Sequence, residues 1–175
     1  LHPIIICFYR CVMGLILITP FVARNNFKAL QTDNMRLQIF RALINIISMI
    51  CWFSAIGMMH LEKATALGFT TPLFTTILAV LMLGEVIRFH RTTALLLGFF
   101  GIIIIIRPGY LPFEFGTLLM LIASFSFSFV LIFVKKLSAT DSSLTIIFYH
   151  LLFMTPIFFI LSLFFWENIN FYQLI

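Results

Sequence analysis

Few side chains in this sequence are equipped for chemistry, and those few are embedded in apolar surroundings. Arg10 follows Phe8 and Tyr9 about 10 Å inside the apolar stretch from Ile4 to Ala23. A cation at the centre of such a stretch costs about 2.5–3.5 kcal/mol on insertion. It therefore marks either a polar cavity that holds an anionic group or a side chain that snorkels to the headgroups. Thr70, Thr71, Pro72, Thr75 and Thr76 crowd the middle of another stretch. A proline there removes the backbone bond to the carbonyl of Gly68 and kinks a helix, while hydroxyls or water satisfy the freed group. Such a segment either lines a cavity or only shapes its helix. His150 lies in a third stretch, where an imidazole relays protons or bonds across a helix interface.

Other chemistries lack candidates. No Asp or Glu falls within an apolar run, so a proton or sodium relay on an intramembrane carboxylate has nothing to build on. There is no Ser-His-Asp set, HExxH helix, paired intramembrane aspartate or phosphate-cradling glycine loop, and an enzyme is not expected. Cys7, Cys11 and Cys51 all sit in apolar segments. Cys7 and Cys11 share a helical face, but no His or carboxylate stands nearby at ligand spacing, and buried cysteine behaves as a small hydrophobe. Neither a metal nor another cofactor is expected.

The elements that must position these residues follow from composition. The chain of 175 residues is 62% hydrophobic and 10% charged, against about 25% charged in a soluble domain. Its mean hydropathy is +1.15. A water-soluble globule and a disordered chain are both excluded. Long apolar runs occur at Ile4–Ala23, Leu43–Met59, Ala64–Leu83, Thr92–Ile106, Phe115–Val134 and Leu144–Trp166. They are too long and too uniformly apolar for barrel strands, so the fold class is an all-α polytopic membrane protein with six transmembrane helices. The fourth run rises only about 22 Å and must borrow length from flanks carrying Arg91 and Arg107. His60 to Lys63 make a tight hairpin between runs two and three.

Lysine and arginine orient the chain. Eight of them (Arg24, Lys28, Arg36, Arg41, Arg88, Arg91, Lys135 and Lys136) gather on one side, and two (Lys63 and Arg107) on the other. By the positive-inside rule residues 24–42, 84–91 and 135–143 face the cytoplasm. The net charge of +5 is scattered singly between runs, so no nucleic-acid partner is expected. Glu85, three residues before Arg88, reads as an ion-pair partner or interfacial anchor. Ala64 with Gly68, Gly98 with Gly101, and Ser124 with Ser128 read as small-residue faces for close helix packing. Both chain ends fall on the outer side, which reads as a piece missing at least one helix before Leu1.

Phe8-Tyr9-Arg10 in run one is echoed by Phe148-Tyr149-His150 in run six, five crossings away. An odd spacing inverts one copy relative to the other, as in many secondary transporters. The stretch from Ala64 through Pro72, Leu73, Phe74 and Thr75 to Leu83, Gly84 and Glu85, followed by Leu97, Gly98, Gly101 and Arg107-Pro108-Gly109, resembles the EamA repeat of the drug/metabolite transporter superfamily. Pro3, Phe8 and Arg10 are similar to that family's second helix. The run from Pro72 to Val80 is similar to the branch that takes up S-adenosylmethionine.

The resemblance implies part of a ten-helix bundle of two inverted five-helix EamA repeats. Residues 1–109 would be the first repeat without its first helix, and 110–175 the first two helices of the second. It further implies alternating access across the inner membrane, with a small-molecule substrate and the lipid bilayer as partners and no cofactor. Arg10, Thr71, Pro72 and Thr75 would face the central cavity; the echo adds His150. The contrasting expectation is a non-transporting remnant or membrane helper packed on a partner, which could be a second copy or a complementary transporter fragment.

Overall fold

The computed structural model describes residues 3–24, 32–86, 89–106 and 114–164, and every element among them is an α-helix. These are α1 (Pro3–Arg24), α2 (Met35–Met58), α3 (Leu61–Gly68), α4 (Thr70–Leu83), α5 (Phe89–Ile106), α6 (Phe115–Leu137) and α7 (Ser143–Phe164). The chain is an all-helical, multi-pass membrane protein. Five spans, namely α1, α2, α3 with α4, α6 and α7, are long and apolar enough to cross a bilayer. The fourth run is α5, whose 18 residues begin at Phe89 rather than Thr92 and rise about 27 Å. Lys28, Arg88, Arg107 and the side chain of Arg91 lie outside the described residues.

Beyond small shifts at helix ends, two differences from the sequence expectation change what the helices contain. α2 starts at Met35, not Leu43, which draws Arg36 and Arg41 out of the expected cytoplasmic loop and into a helix. Apolar-run scanning stops at a charge, whereas a helix continues as long as its polar side chains find partners. The start is closed by Asn34, whose carbonyl accepts from the amides of Leu37 and Gln38 and whose own amide donates to Thr32 Oγ1. The third run is not one kinked helix but two, parted at Phe69. Pro72 therefore falls in the first turn of α4, where a missing N–H is tolerated. α4 ends at Gly84, whose φ of 65° is the left-handed conformation glycine adopts freely, with the Glu85 amide reaching back to the Ala79 carbonyl.

The chain divides into two compact units, Leu1–Ala42 with Lys136–Ile175, and Leu43–Lys135. In the first, α1 and α7 pack antiparallel. Phe8 meets Phe159 with ring centroids 5.5 Å apart, and a Cβ on Gly14 would lie 3.1 Å from the Leu151 methyls. In the second, α3 folds back on α2 so closely that a Cβ on Gly68 would sit 3.0 Å from the Trp52 ring. Ala55, Met59, Ala64, Leu67 and Met120 form the core there. The small-residue reading holds for Ala64 and Gly68; Gly98 meets Leu73 of α4 at an ordinary contact distance of 3.9 Å, and among the described residues nothing lies within 4 Å of a Cβ on Gly101.

α3 and α4 run parallel to α6 and are tied to it along their length. Lys63 pairs with Glu114 at 3.0 Å at one end, and Glu85 pairs with Lys135 at the other. Between them Phe74 packs edge-on against Phe125, and Ser128 donates to the Thr71 carbonyl at 3.0 Å. Glu85 thus finds its cation on α6.

Candidate functional site

The five residues singled out from sequence fall into the two units separately. Arg10 and His150 belong to the first; Thr71, Pro72 and Thr75 belong to the second. Arg10 is exposed on α1 between the buried Cys7 and Cys11, and His150 is half-buried on α7. His150 lies within electrostatic reach of both Arg10 and Arg41.

In the second unit the hydroxyls of the Thr-Pro segment turn inward to the backbone. Thr70 donates to the Leu67 carbonyl (2.7 Å), Thr75 to Thr71 (2.8 Å) and Thr76 to Pro72 (2.8 Å). Of these only the Leu67 carbonyl lies at the break, at the end of α3; Thr75 and Thr76 back-bond to carbonyls inside α4. Thr75 and Thr76 also line a cavity of about 160 Å³ that reaches Glu85 and Lys135. Metabolite pockets usually enclose about 300–1,000 Å³, so this one suits water or an ion better than a whole metabolite.

α2 carries a polar face that the charge count concealed: Gln38 and Arg41 in the first unit, Asn45 and Ser48 in the second. Gln38 and Arg41, taken as loop residues, are 0% and 3% exposed; with Asn45 and Ser48, each 4% exposed, they recur at intervals of three and four along one face of α2. Three of these polar side chains, Gln38, Arg41 and Ser48, meet a helix or turn from later in the chain. Gln38 Nε2 donates to Asp141 Oδ2 at 2.9 Å, and Thr32 Oγ1 donates to the same oxygen at 2.6 Å. Asn34 Nδ2 donates to Thr140 Oγ1 at 2.9 Å. Arg41 Nη2 donates to the Ile146 carbonyl at 2.8 Å in the first turn of α7, and Ser48 Oγ donates to the Ala123 carbonyl at 2.9 Å on α6. Among the buried side-chain atoms there without a hydrogen bond are Gln38 Oε1 and Arg41 Nε.

An open groove of about 660 Å³ adjoins the cluster at Asn34, lined also by Asp33, Arg36, Phe40 and Lys136. Its size is that of a metabolite pocket. The signal for this site was in the sequence: the spacing of Gln38, Arg41, Asn45 and Ser48 is helical. It was hidden by treating each cation before Leu43 as a topology marker.

Helices of this length, broken and polar-lined in this way, suit a transporter, and comparison with known proteins agrees. Residues 1–107 match the EamA-like transporter family. The chain belongs to that family. Among curated relatives of this EamA chain, an S-adenosylmethionine uptake transporter of Rickettsia prowazekii is 31% identical over 85% of the chain and 51% of the relative. A riboflavin transporter of Vibrio cholerae is 31% identical over 90% and 54%, and a pseudopaline exporter of Pseudomonas aeruginosa is 26% identical over 83% and 51%. The chain spans about half the length of the curated relatives it matches. No solved structure matches it.

Proposed function

We propose that this EamA chain serves a secondary transporter that carries a small metabolite across the inner (plasma) membrane by alternating access. The carrying observation is the family match over residues 1–107, joined by relatives named as transporters of different small molecules. Residues 1–109 and 110–175 belong to successive repeats of that machine. Arg10, Thr71, Pro72, Thr75 and His150 line the substrate path, with Arg10 holding an anionic group. S-adenosylmethionine is the first substrate to try, because relatives of that name align over most of the chain.

The test is counterflow. Vesicles containing the protein are loaded with unlabelled S-adenosylmethionine and offered the labelled compound outside. Alternating access predicts faster labelled uptake than into empty vesicles, because a loaded carrier returns more readily than an empty one. Uptake of S-adenosylmethionine and riboflavin no greater than in protein-free vesicles would overturn the transport reading. Arg10→Ala with unchanged substrate affinity would remove Arg10 from the anion-holding role.

A further inference from the structure

The cluster at the start of α2 contains a cation and an anion that do not pair with each other. Arg41 spends its one hydrogen bond on the Ile146 carbonyl, and Asp141 accepts from Thr32, Gln38 and Thr140. A guanidinium carries five N–H donors. Held at 3% exposure, Arg41 keeps its Nε buried and unbonded, and one turn away Gln38 keeps an unbonded buried acceptor, Oε1. Leaving such atoms unbonded is unfavourable, most of all when the group is charged. Asn45 Oδ1, Ser124 Oγ and His150 Nδ1 also lack a hydrogen bond; Gln38 and Arg41 differ in setting an acceptor and a cationic donor one turn apart on α2, with the Asp141 carboxylate already bonded to Gln38.

We propose that Gln38, Arg41 and Asp141 form a subsite for the α-amino-carboxylate group of a soluble metabolite. The ligand's carboxylate accepts from Arg41 Nε, and its ammonium donates to Gln38 Oε1 and faces the Asp141 carboxylate. Residues three apart on a helix stand about 5–6 Å apart at Cβ, which lets two long side chains converge on a group of that size. The adjoining groove, with Arg36, Lys136 and the exposed ring of Phe40, takes the rest of the molecule. This deepens the transporter reading and rests on it for the identity of the cargo, but the binding chemistry is separable from transport.

Equilibrium binding to the protein in phosphatidylcholine–phosphatidylglycerol vesicles, which offer no amino-acid head group, separates the two. The probes are labelled S-adenosylmethionine, its decarboxylated analogue and riboflavin. Removing the carboxylate should weaken binding at least about tenfold, as loss of a charge-assisted hydrogen bond does. Arg41→Lys, which keeps the charge but lacks Nε, and Asp141→Asn should each erase that preference while thermal unfolding still shows a folded protein. Equal affinity for S-adenosylmethionine and its decarboxylated analogue in the wild type overturns the subsite without any variant, as does failure to bind S-adenosylmethionine. Displacement by added phosphatidylserine would assign the same chemistry to a lipid head group and overturn the soluble-metabolite source. Carboxylate-dependent binding without counterflow sinks the transport reading and leaves the subsite; counterflow of riboflavin with no carboxylate preference does the reverse.

Discussion

Gly68 lies under the Trp52 ring, where an added Cβ would stand at 3.0 Å from a ring carbon and 3.2 Å from the next. A rigid indole half-buried in a helix hairpin cannot retreat as a lysine tip would. Gly68→Val should therefore cost about 1–3 kcal/mol by overpacking, read as a lowered midpoint in thermal unfolding of the detergent-solubilised protein. Among the described residues Gly101→Ala meets nothing within 4 Å, and it removes a helix-interior glycine, so it should hold or raise that midpoint. A wild-type-like Gly68→Val would mean the hairpin is looser than its geometry. These two glycines look alike in sequence, each in a small-residue pair, and only the facing side chain tells them apart. The two arginines are the same lesson at the site. Arg10 stands out in the sequence because its neighbours are apolar, yet it is exposed; Arg41 passes as a loop cation, yet it is buried. Burial of a polar group depends on which helix lies opposite, and a single chain read linearly carries no opposite helix.

At the scale of elements, α3 and α4 behave as one rod in two pieces laid parallel to α6. The six apolar runs foretold the helices well, because bilayer thickness fixes their length; what they missed were a start and a break, both governed by hydrogen bonding rather than hydropathy. Pro72 is the clearest case. In the first turn of α4 it needs no N–H, so Pro72→Ala should change stability by less than about 1 kcal/mol. Proline in place of the buried Ala79, in the interior of α4, should cost about 3 kcal/mol or more. Thermal unfolding of the two variants decides this: a Pro72→Ala loss equal to that of Ala79→Pro would show that the proline itself holds the break open. The end ties are a weaker matter. Lys63 and Glu114 are partly exposed, 17% and 43%, and Lys63→Ala should cost less than about 1 kcal/mol.

For the whole molecule, alternate crossings require the chain to emerge on opposite faces at the two ends of α2. Its 24 residues rise about 36 Å, more than the roughly 30 Å of a hydrocarbon core. Thr32 and Asn34, just before α2, bond to Asp141 and Thr140, just after α6, so these two connections emerge on one face, the lysine- and arginine-rich one. His60, just past the other end of α2, must be on the opposite face. Single cysteines at the exposed positions Asp33, Ala139 and His60, in a background with Cys7, Cys11 and Cys51 replaced, make this measurable. A membrane-impermeant maleimide added to sealed right-side-out vesicles should spare Asp33→Cys and Ala139→Cys and label His60→Cys; inverted vesicles should reverse the pattern. The buried Arg41 makes the outcome more than a formality. If the charge cluster of α2 were drawn out to the headgroups on its own side, Asp33→Cys and Ala139→Cys would still label together. If Asp33→Cys and His60→Cys labelled from one side, α2 would not cross, and neither the polar seam along it nor a transport path beside it would survive.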